Sequence, residues 1–382
     1  MTKPLIALSG GVDSSVAAYL LQTAHGNCMG AMMKLYTNDD LDPSYKNKTC
    51  CSLDDVEDAR QVAASLNMPF YVFNFTDGFA EAVMERFVKA YQCGQTPNPC
   101  IDCNRYMKFE RFLRRATELD CTHIATGHYA RIAHDTNGRY LLKTGLDVTK
   151  DQSYALYTMT QQQLARTLLP LGELTKEEVR RIAEAQGFVN AKKRDSQDIC
   201  FAPDGDYAGF IERYVAEKNE TSVDSKIVST EVCKQKPLCT TPGNFITPQC
   251  EILGRHKGII NYTIGQRKGL GISAPHPLFV LSLNVAENTV TLGKNEELFA
   301  TTLTARDINL IAVDKIENKM HVQAKIRYSH KAEPAIVRQT DEDEIRVEFN
   351  TPQRAITPGQ AVVLYDGDIV VGGGTIQQSK LL

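Results

Sequence analysis

The chain carries two kinds of apolar pattern, one after the other. Over the first 150 residues or so, short apolar runs alternate with segments of helical period. Leu5 to Leu8, Met29 to Tyr36, Phe70 to Phe75 and His123 to Thr126 read as buried strands. Between them, Val56, Ala59, Val62, Ala63 and Leu66 recur at helical spacing, with Ser52 as the N-cap and Asp54 and Asp55 in the first turn. Gly78 to Tyr91 and Cys103 to Leu119 read as the next helices. Repeated βα units predict an α/β domain whose parallel sheet is covered on both faces and whose ligands sit at the carboxyl ends of the strands.

The pattern breaks near Phe201 to Gly205. Residues 219–250 are polar and carry Cys233, Cys239 and Cys250, as an irregular insertion would, and Gly254 to Gly271 is rich in glycine and base. From Leu278 short alternating strands follow: Phe279 to Val285, Thr289 to Leu292, His321 to Tyr328, Ile345 to Phe349, Ala361 to Tyr365 and Ile369 to Val371. An Asp366-Gly367 hairpin separates the last two. The organisation expected is therefore 1–203 as the α/β domain, 204–277 as a small central domain and 278–382 as a C-terminal β-barrel or sandwich.

Composition narrows this little. With 382 residues, 42% hydrophobic and 23% charged, the chain suits a soluble protein of two or three domains. No apolar run approaches the roughly 18 residues of a membrane span, and Met-Thr-Lys-Pro lacks a signal peptide's apolar core. Eleven cysteines without such a signal point to a reducing cytoplasm, and a monomer is the default. The net charge of −3 hides basic clusters: Arg105, Lys108, Arg111, Arg114 and Arg115 on one helix, then Lys192-Lys193-Arg194, Arg255-His256-Lys257, Arg267-Lys268 and Arg327 to Lys331. A phosphate-rich partner fits them, and so do solvated faces.

Three stretches carry candidate chemistry. Ala7-Leu8-Ser9-Gly10-Gly11-Val12-Asp13-Ser14-Ser15 runs from a strand through a glycine turn into a helix. Bare backbone N–H groups and a helix N-terminus there suit an anion, and Asp13 makes sense as the holder of a magnesium ion that bridges phosphates. The loop is not a Walker loop, since no Gly-Lys-Ser/Thr follows. Next, Thr96-Pro97-Asn98-Pro99-Cys100-Ile101-Asp102-Cys103-Asn104 places Cys103 in the first turn of a basic helix beginning near Asp102, where a thiol pKa falls. Cys200 closes a polar run at the end of the α/β domain. The Cys-x-x-Cys pair alone fits zinc, a redox couple or chance, although the second pair that a zinc site normally uses is missing.

The glycine loop matches the pyrophosphate loop of ATP pyrophosphatases in full. With Asn98-Pro99-x-x-x-Cys103-Asn104, Thr126-Gly127-His128-Tyr129, Lys150-Asp151-Gln152-Ser153-Tyr154 and Asp195-Ser196-x-Asp198-Ile199-Cys200-Phe201, the chain closely resembles the bacterial tRNA-specific 2-thiouridylases. Gly265 to Gly271, Arg327-Tyr328 and Thr357-Pro358-Gly359-Gln360 extend the resemblance to the C-terminus. It implies an ATP pyrophosphatase domain of the adenine nucleotide α-hydrolase type, a small central domain and a C-terminal β-barrel. It also implies ATP-dependent exchange of O2 of a wobble uridine for sulfur. ATP would lie on Ala7 to Ser14, with Met33 and Gly127 at the adenosine and Mg2+ on Asp13. Asn98, Pro99 and Cys100 would meet the target base, and His128, Lys150, Asp151, Gln152, Arg327, Tyr328 and Gln360 the tRNA. Cys200 would carry a persulfide sulfur from a donor protein such as a cysteine desulfurase or relay protein. Cys103 would act as acid–base, or as a nucleophile forming a disulfide with Cys200.

Many members of the resembled family have Asp where this chain has Cys100. Cys100, Cys103 and Cys200 would together suffice for a 4Fe-4S cluster with one open iron, which makes cluster-delivered sulfide the alternative route. The rival enzyme is an amide-forming ATP pyrophosphatase ligase, which gives Cys103 and Cys200 no task. The rival from another class is a zinc- or redox-binding RNA-interaction protein. Charge alone adds the basic helix from Arg105 and the Lys192 to Arg194 cluster as further tRNA contacts.

Overall fold

A computed structural model describes residues 2–36, 53–193, 199–202, 205–221 and 238–381. Ser52, Cys50-Cys51, the Arg194 to Asp198 run, Pro203, Asp204 and most of the polar insertion, including Cys233, lie outside the described residues.

The first domain is built on a parallel sheet of β1 (Pro4–Ala7), β2 (Met29–Lys34), β3 (Phe70–Asn74), β4 (His123–Ala125) and β7 (Thr167–Leu168), in the order β3-β2-β1-β4-β7. Helices α1 (Val12–His25) and α2 (Leu53–Ser65) contribute Ala18, Leu21, Ala59 and Ala63 to one core with Ile6, Leu8 and Met32. Phe109, Phe112 and Ala116 lie in a second core with Leu5, Ala31 and Ile124. Every residue of β1 is buried, which is why an unbroken apolar run marked it. The order reverses between β1 and β4, and a sheet of this kind opens its ligand crevice at such a switch point.

Two long helices flank the crevice, each interrupted by a π segment. One runs through α3 (Thr76–Phe79), a π segment (Ala80–Met84) and α4 (Glu85–Gln92). The other runs through α5 (Pro99–Asp102), a π segment (Cys103–Arg111) and α6 (Phe112–Glu118). The second begins three residues earlier than the expected start near Asp102. Asn98 caps it by accepting from the Cys100 N–H at 3.1 Å, and Pro99 opens it. Cys103 therefore sits past the first turn with its own N–H bonded within the helix, and Cys100 takes the first-turn position.

The first half also contributes a hairpin with no forewarning in the apolar pattern, β5 (Ala130–His134) and β6 (Tyr140–Thr144), which joins the C-terminal sheet through β6. Helices α7 (Gln161–Ala165) and α8 (Lys176–Ala185) complete this domain, each with a full capping box. After α9 (Tyr207–Thr221) comes a four-stranded sheet of β8 (Gly243–Ile246), β9 (Ile252–His256), β10 (Phe279–Asn284) and β11 (Thr289–Gly293), ordered β10-β11-β8-β9. The two strands after Leu278 thus pair with the central sheet, not with the C-terminal strands their pattern suggested. Val280, Val290 and Leu292 join Phe245 in its core.

The C-terminal strands are β12 (Phe299–Leu310), β13 (Met320–Lys325), β14 (Glu333–Asp341), β15 (Glu344–Arg354), β16 (Ala361–Asp366) and β17 (Ile369–Leu381). They are antiparallel in the order β12-β15-β14-β13-β16-β17, and a β12–β17 pairing closes them into a barrel. The Asp366-Gly367 hairpin forms as expected, with Asp366 opposite Ile369 and Gly367 at φ 56°. No described helix is long and apolar enough to cross a membrane.

Candidate active site

The glycine loop leaves β1 at the switch point. Gly10 has φ 73°, and a Cβ there would lie 2.5 Å from the Asp55 carbonyl oxygen, so this position admits only glycine. The Asn190 amide donates to the Gly10 carbonyl at 3.0 Å and to Ser15 Oγ at 2.9 Å, bracing the turn from beneath. Ser14 Oγ donates to the Gly11 carbonyl at 2.9 Å and accepts from the Ser9 N–H at 3.2 Å. Ala7, Leu8 and Val12 are buried, which leaves their backbone as the part available to a ligand. No side chain caps α1, so its first N–H groups point into the crevice.

Asp13 lies at the mouth of the loop. Its Oδ1 accepts from Tyr129 Oη at 2.7 Å, and its two oxygens accept from Lys176 Nζ at 2.7 and 2.8 Å. Lys176 was not legible beforehand: it stands 163 residues away, at the first position of α8. Gly127 explains how Tyr129 arrives there. A Cβ on Gly127 would come within 2.8 Å of the Asp13 carbonyl carbon and 2.9 Å of the Ser14 nitrogen. The turn after β4 is thus pressed onto the turn after β1. Gln152 holds this turn through its N–H to the Tyr129 carbonyl, 2.9 Å, and its Oε1 to the Tyr129 N–H, 3.0 Å. Met33, one residue from the end of β2, belongs to the same carboxyl edge.

His128 is buried, with 7% of its surface accessible. Its Nδ1 lies 2.7 Å from Thr126 Oγ1 and its Nε2 3.4 Å from Lys108 Nζ. Burial first, and the Lys108 charge second, hold its pKa well below the ordinary 6.5. The sign follows: the unfolded chain takes the proton first as pH falls, so the contribution of His128 is complete above about pH 6.5 and is lost below it. Wild type should lose up to about 1.4 kcal/mol more per pH unit between pH 6.5 and 5.5 than His128→Gln. Thermal melts across that range measure the difference, and equal slopes would contradict the buried neutral ring.

The cysteines come next. Cys100 is exposed, whereas Cys103 and Cys200 are half-buried. Cys103 and Cys200 pack against one apolar core containing Phe79, Phe87, Phe201 and Phe210. Phe201, next to Cys200, sets its ring 5.3 Å from that of Phe87 and 4.9 Å from that of Phe210. Two segments almost 100 residues apart in sequence thus bring their thiols to one core. Among the described residues, however, no three Cys, His, Asp or Glu side chains converge as metal ligands.

The C-terminal barrel completes the entrance. The Gln360 amide donates to the Thr96 carbonyl at 2.7 Å, and Thr96 N–H donates to Pro358 at 2.9 Å, so this turn buttresses the Asn98-Pro99-Cys100 segment. Tyr328 Oη donates to the Asp151 carbonyl at 3.2 Å, while Lys325 Nζ lies 5.5 Å from the Tyr328 ring centre. Burial raises the Tyr328 pKa, followed by charge on Asp151 and on Cys100. Arg327 is half-buried, with its pKa lowered by burial and by Arg354. Asp151 accepts from the Gly145 and Ser153 N–H groups at 3.0 and 3.1 Å. Asp151, Gln152 and Gln360 therefore shape the entrance through backbone bonds.

Most of the cations in two basic features chosen on charge alone have partners within the fold. Lys193 reaches Asp55 and Asp58, each at 2.6 Å, and ties the end of the α/β domain to α2. On the basic helix, Arg105 pairs with Asp307 at 2.5 Å, Arg111 with Glu81 at 3.7 Å, and both Arg114 and Arg115 with Glu118.

A parallel sheet with a glycine loop at its switch point is the arrangement of a nucleotide-binding domain, and here a small sheet and a closed barrel follow it. Family models agree segment by segment: a tRNA methyl transferase HUP domain over residues 2–204, a tRNA methyl transferase PRC-barrel domain over 234–294 and an aminomethyltransferase β-barrel domain over 300–376. The chain is 50% identical over 376 residues to a tRNA-specific 2-thiouridylase MnmA of Lachnoclostridium phytofermentans, covering 98% of this chain and 99% of that one. It is 48% identical to that of Clostridioides difficile, over 99% of this chain and 98% of that one, and 47% identical to that of Acetivibrio thermocellus, over 98% and 99%. The chain belongs to the tRNA-specific 2-thiouridylase family, whose activity is the formation of 2-thiouridine in tRNA.

Proposed function

We propose that this chain adenylates O2 of a wobble uridine and then replaces that oxygen with sulfur through Cys200 and Cys103. The observation that carries the reading is that two half-buried thiols from distant segments pack against one core, in a chain that also carries a glycine loop suited to a pyrophosphate. Uracil O2 is a poor leaving group. It attacks the α-phosphorus of ATP, the Pα–O bond to pyrophosphate breaks, and the uracil N3 proton passes to water. The Ser9 to Ser14 loop holds the departing pyrophosphate. A persulfide on Cys200, loaded by a sulfur-donor protein, then attacks C2 through its outer sulfur and AMP leaves. Cys103 thiolate attacks the inner sulfur; the S–S bond breaks, 2-thiouridine is released, and a Cys103–Cys200 disulfide awaits an external thiol reductant. The target base must leave its stack to reach the pocket behind Asn98, Pro99 and Cys100.

Asp13 fits a magnesium ion. Three of the roughly four lone-pair sites of a carboxylate are used by Tyr129 and Lys176, and Mg2+ commonly takes only one or two carboxylates beside phosphates. Bound there with phosphate oxygens, the ion would neutralise charge on the leaving pyrophosphate. Lys176 shares that task, since only 12% of its side chain is exposed and its ammonium faces the same carboxylate. Lys176→Met is therefore expected to weaken ATP binding about tenfold, or about 1.4 kcal/mol, by calorimetry. Unchanged affinity would remove Lys176 from the nucleotide site. The function itself is tested by nucleoside mass spectrometry of tRNA from cells lacking the gene, where 2-thiouridine should vanish and its persistence would refute the proposal.

A further inference from the structure

Lys108 stands apart from the other cations of its helix. Arg105, Arg111, Arg114 and Arg115 pair with carboxylates, but Lys108 has no carboxylate partner among the described residues. Its contact is the neutral ring of His128, at 3.4 Å. An ammonium can only donate, so Nε2 of His128 is the acceptor and carries no proton. The proton then sits on Nδ1 and is donated to Thr126 Oγ1 at 2.7 Å. His128 is buried against Phe109, ring centres 5.9 Å apart, so this acceptor is fixed in place. A half-buried cation aimed by a neutral acceptor and left without a counter-charge suits an anion that arrives with substrate.

The position of Lys108 says which anion. The residue before His128, Gly127, is pressed onto the backbone of Asp13 and Ser14 in the pyrophosphate loop. Lys108 is also five residues after Cys103 within the π segment, whose i→i+5 bonding stacks the two positions one turn apart. The ammonium therefore projects from the thiol-bearing helix to the turn whose Gly127 packs on the pyrophosphate loop. In the adenylation proposed above, the group between leaving pyrophosphate and attacking uracil O2 is the α-phosphate.

We propose that Lys108 is a catalytic residue of the adenylation half-reaction, binding the non-bridging oxygens of the α-phosphate as charge grows on them, and that His128 positions it. This inference rests on the adenylation reading. A donor aimed at transition-state charge affects rate more than binding, typically 10²- to 10³-fold. The test follows tRNA-dependent pyrophosphate release by the full-length enzyme with an unmodified tRNA transcript, alongside ATP affinity by calorimetry. Lys108→Met should lower kcat for release about 100-fold with ATP Kd altered less than about threefold. Lys108→Gln, which keeps a polar donor one bond shorter and uncharged, serves the same purpose if the first variant melts early. His128→Leu should lose about tenfold, and His128→Gln, whose amide can accept from Lys108 and donate to Thr126, should restore most of it. Wild-type rates in a folded Lys108 variant, or equal losses in His128→Leu and His128→Gln, would overturn the inference while leaving adenylation intact. Absence of release by wild type would instead overturn the adenylation reading.

Discussion

Cys200→Ser should abolish 2-thiouridine formation, by at least about 10³-fold, while leaving tRNA-dependent pyrophosphate release within a few-fold of wild type. The substitution is nearly isosteric, and Phe201 anchors the segment in the aromatic core, so the fold has no reason to change. What is lost is the sulfur that can carry a second sulfur. The split between the two readouts is the informative part. An amide-forming ligase would show neither readout even in wild type. A structural cysteine would lose both together. Liquid chromatography of digested tRNA, paired with a pyrophosphate assay on the same reaction, reads the two outcomes.

The second large effect is expected at Gly127→Ala. The new Cβ would lie 2.8 Å from one backbone atom of Asp13 and 2.9 Å from one of Ser14, and backbone cannot step aside as a flexible side-chain tip can. The pyrophosphate loop or the Thr126 to Tyr129 turn must shift, and the 2.7 Å bond from Tyr129 to Asp13 goes with it. Overpacking of this kind costs about 1–3 kcal/mol of stability. ATP affinity should fall by about 10- to 100-fold, since the anion site depends on backbone N–H groups held in place. Gly11→Ala makes the contrast. There a Cβ meets only Ser9 Oγ at 3.4 Å, so folding should survive and any loss of ATP affinity reports the ligand's need for bare backbone. A melting curve and a calorimetric titration for each variant decide between these patterns; full ATP affinity in Gly127→Ala would contradict the packing of the two turns.

What could be read from the sequence followed from how local each feature is. Strand β1 showed because burial on both faces leaves an apolar run, whereas β7, only two residues long, left none. The glycine loop showed because its chemistry lies within nine consecutive residues. Strands β12 and β14 were silent, since one face of each is polar and residues such as Thr301, Thr302, Arg306 and Arg338 dilute the alternation. The β5–β6 hairpin was missed because it leaves the α/β pattern to join the barrel. In the site, Lys176, Asn190 and Lys108 are single polar residues whose roles depend on partners 163, 175 to 180 and 20 residues away. No local pattern encodes such pairings. The start of the helix bearing Cys103 was misplaced because Asn98-Pro99, a capping pair, reads equally as part of a proline-rich turn.

The central claim is that ATP is spent on activating the uridine oxygen, not on some other group. It is tested most directly with a transcript whose wobble uridine carries 18O at O2, incubated with enzyme, ATP, Mg2+ and a persulfide donor. The account predicts 2-thiouridine at that position with the 18O recovered in AMP, one label per sulfur inserted. Label appearing in water, with AMP unlabelled, would contradict it.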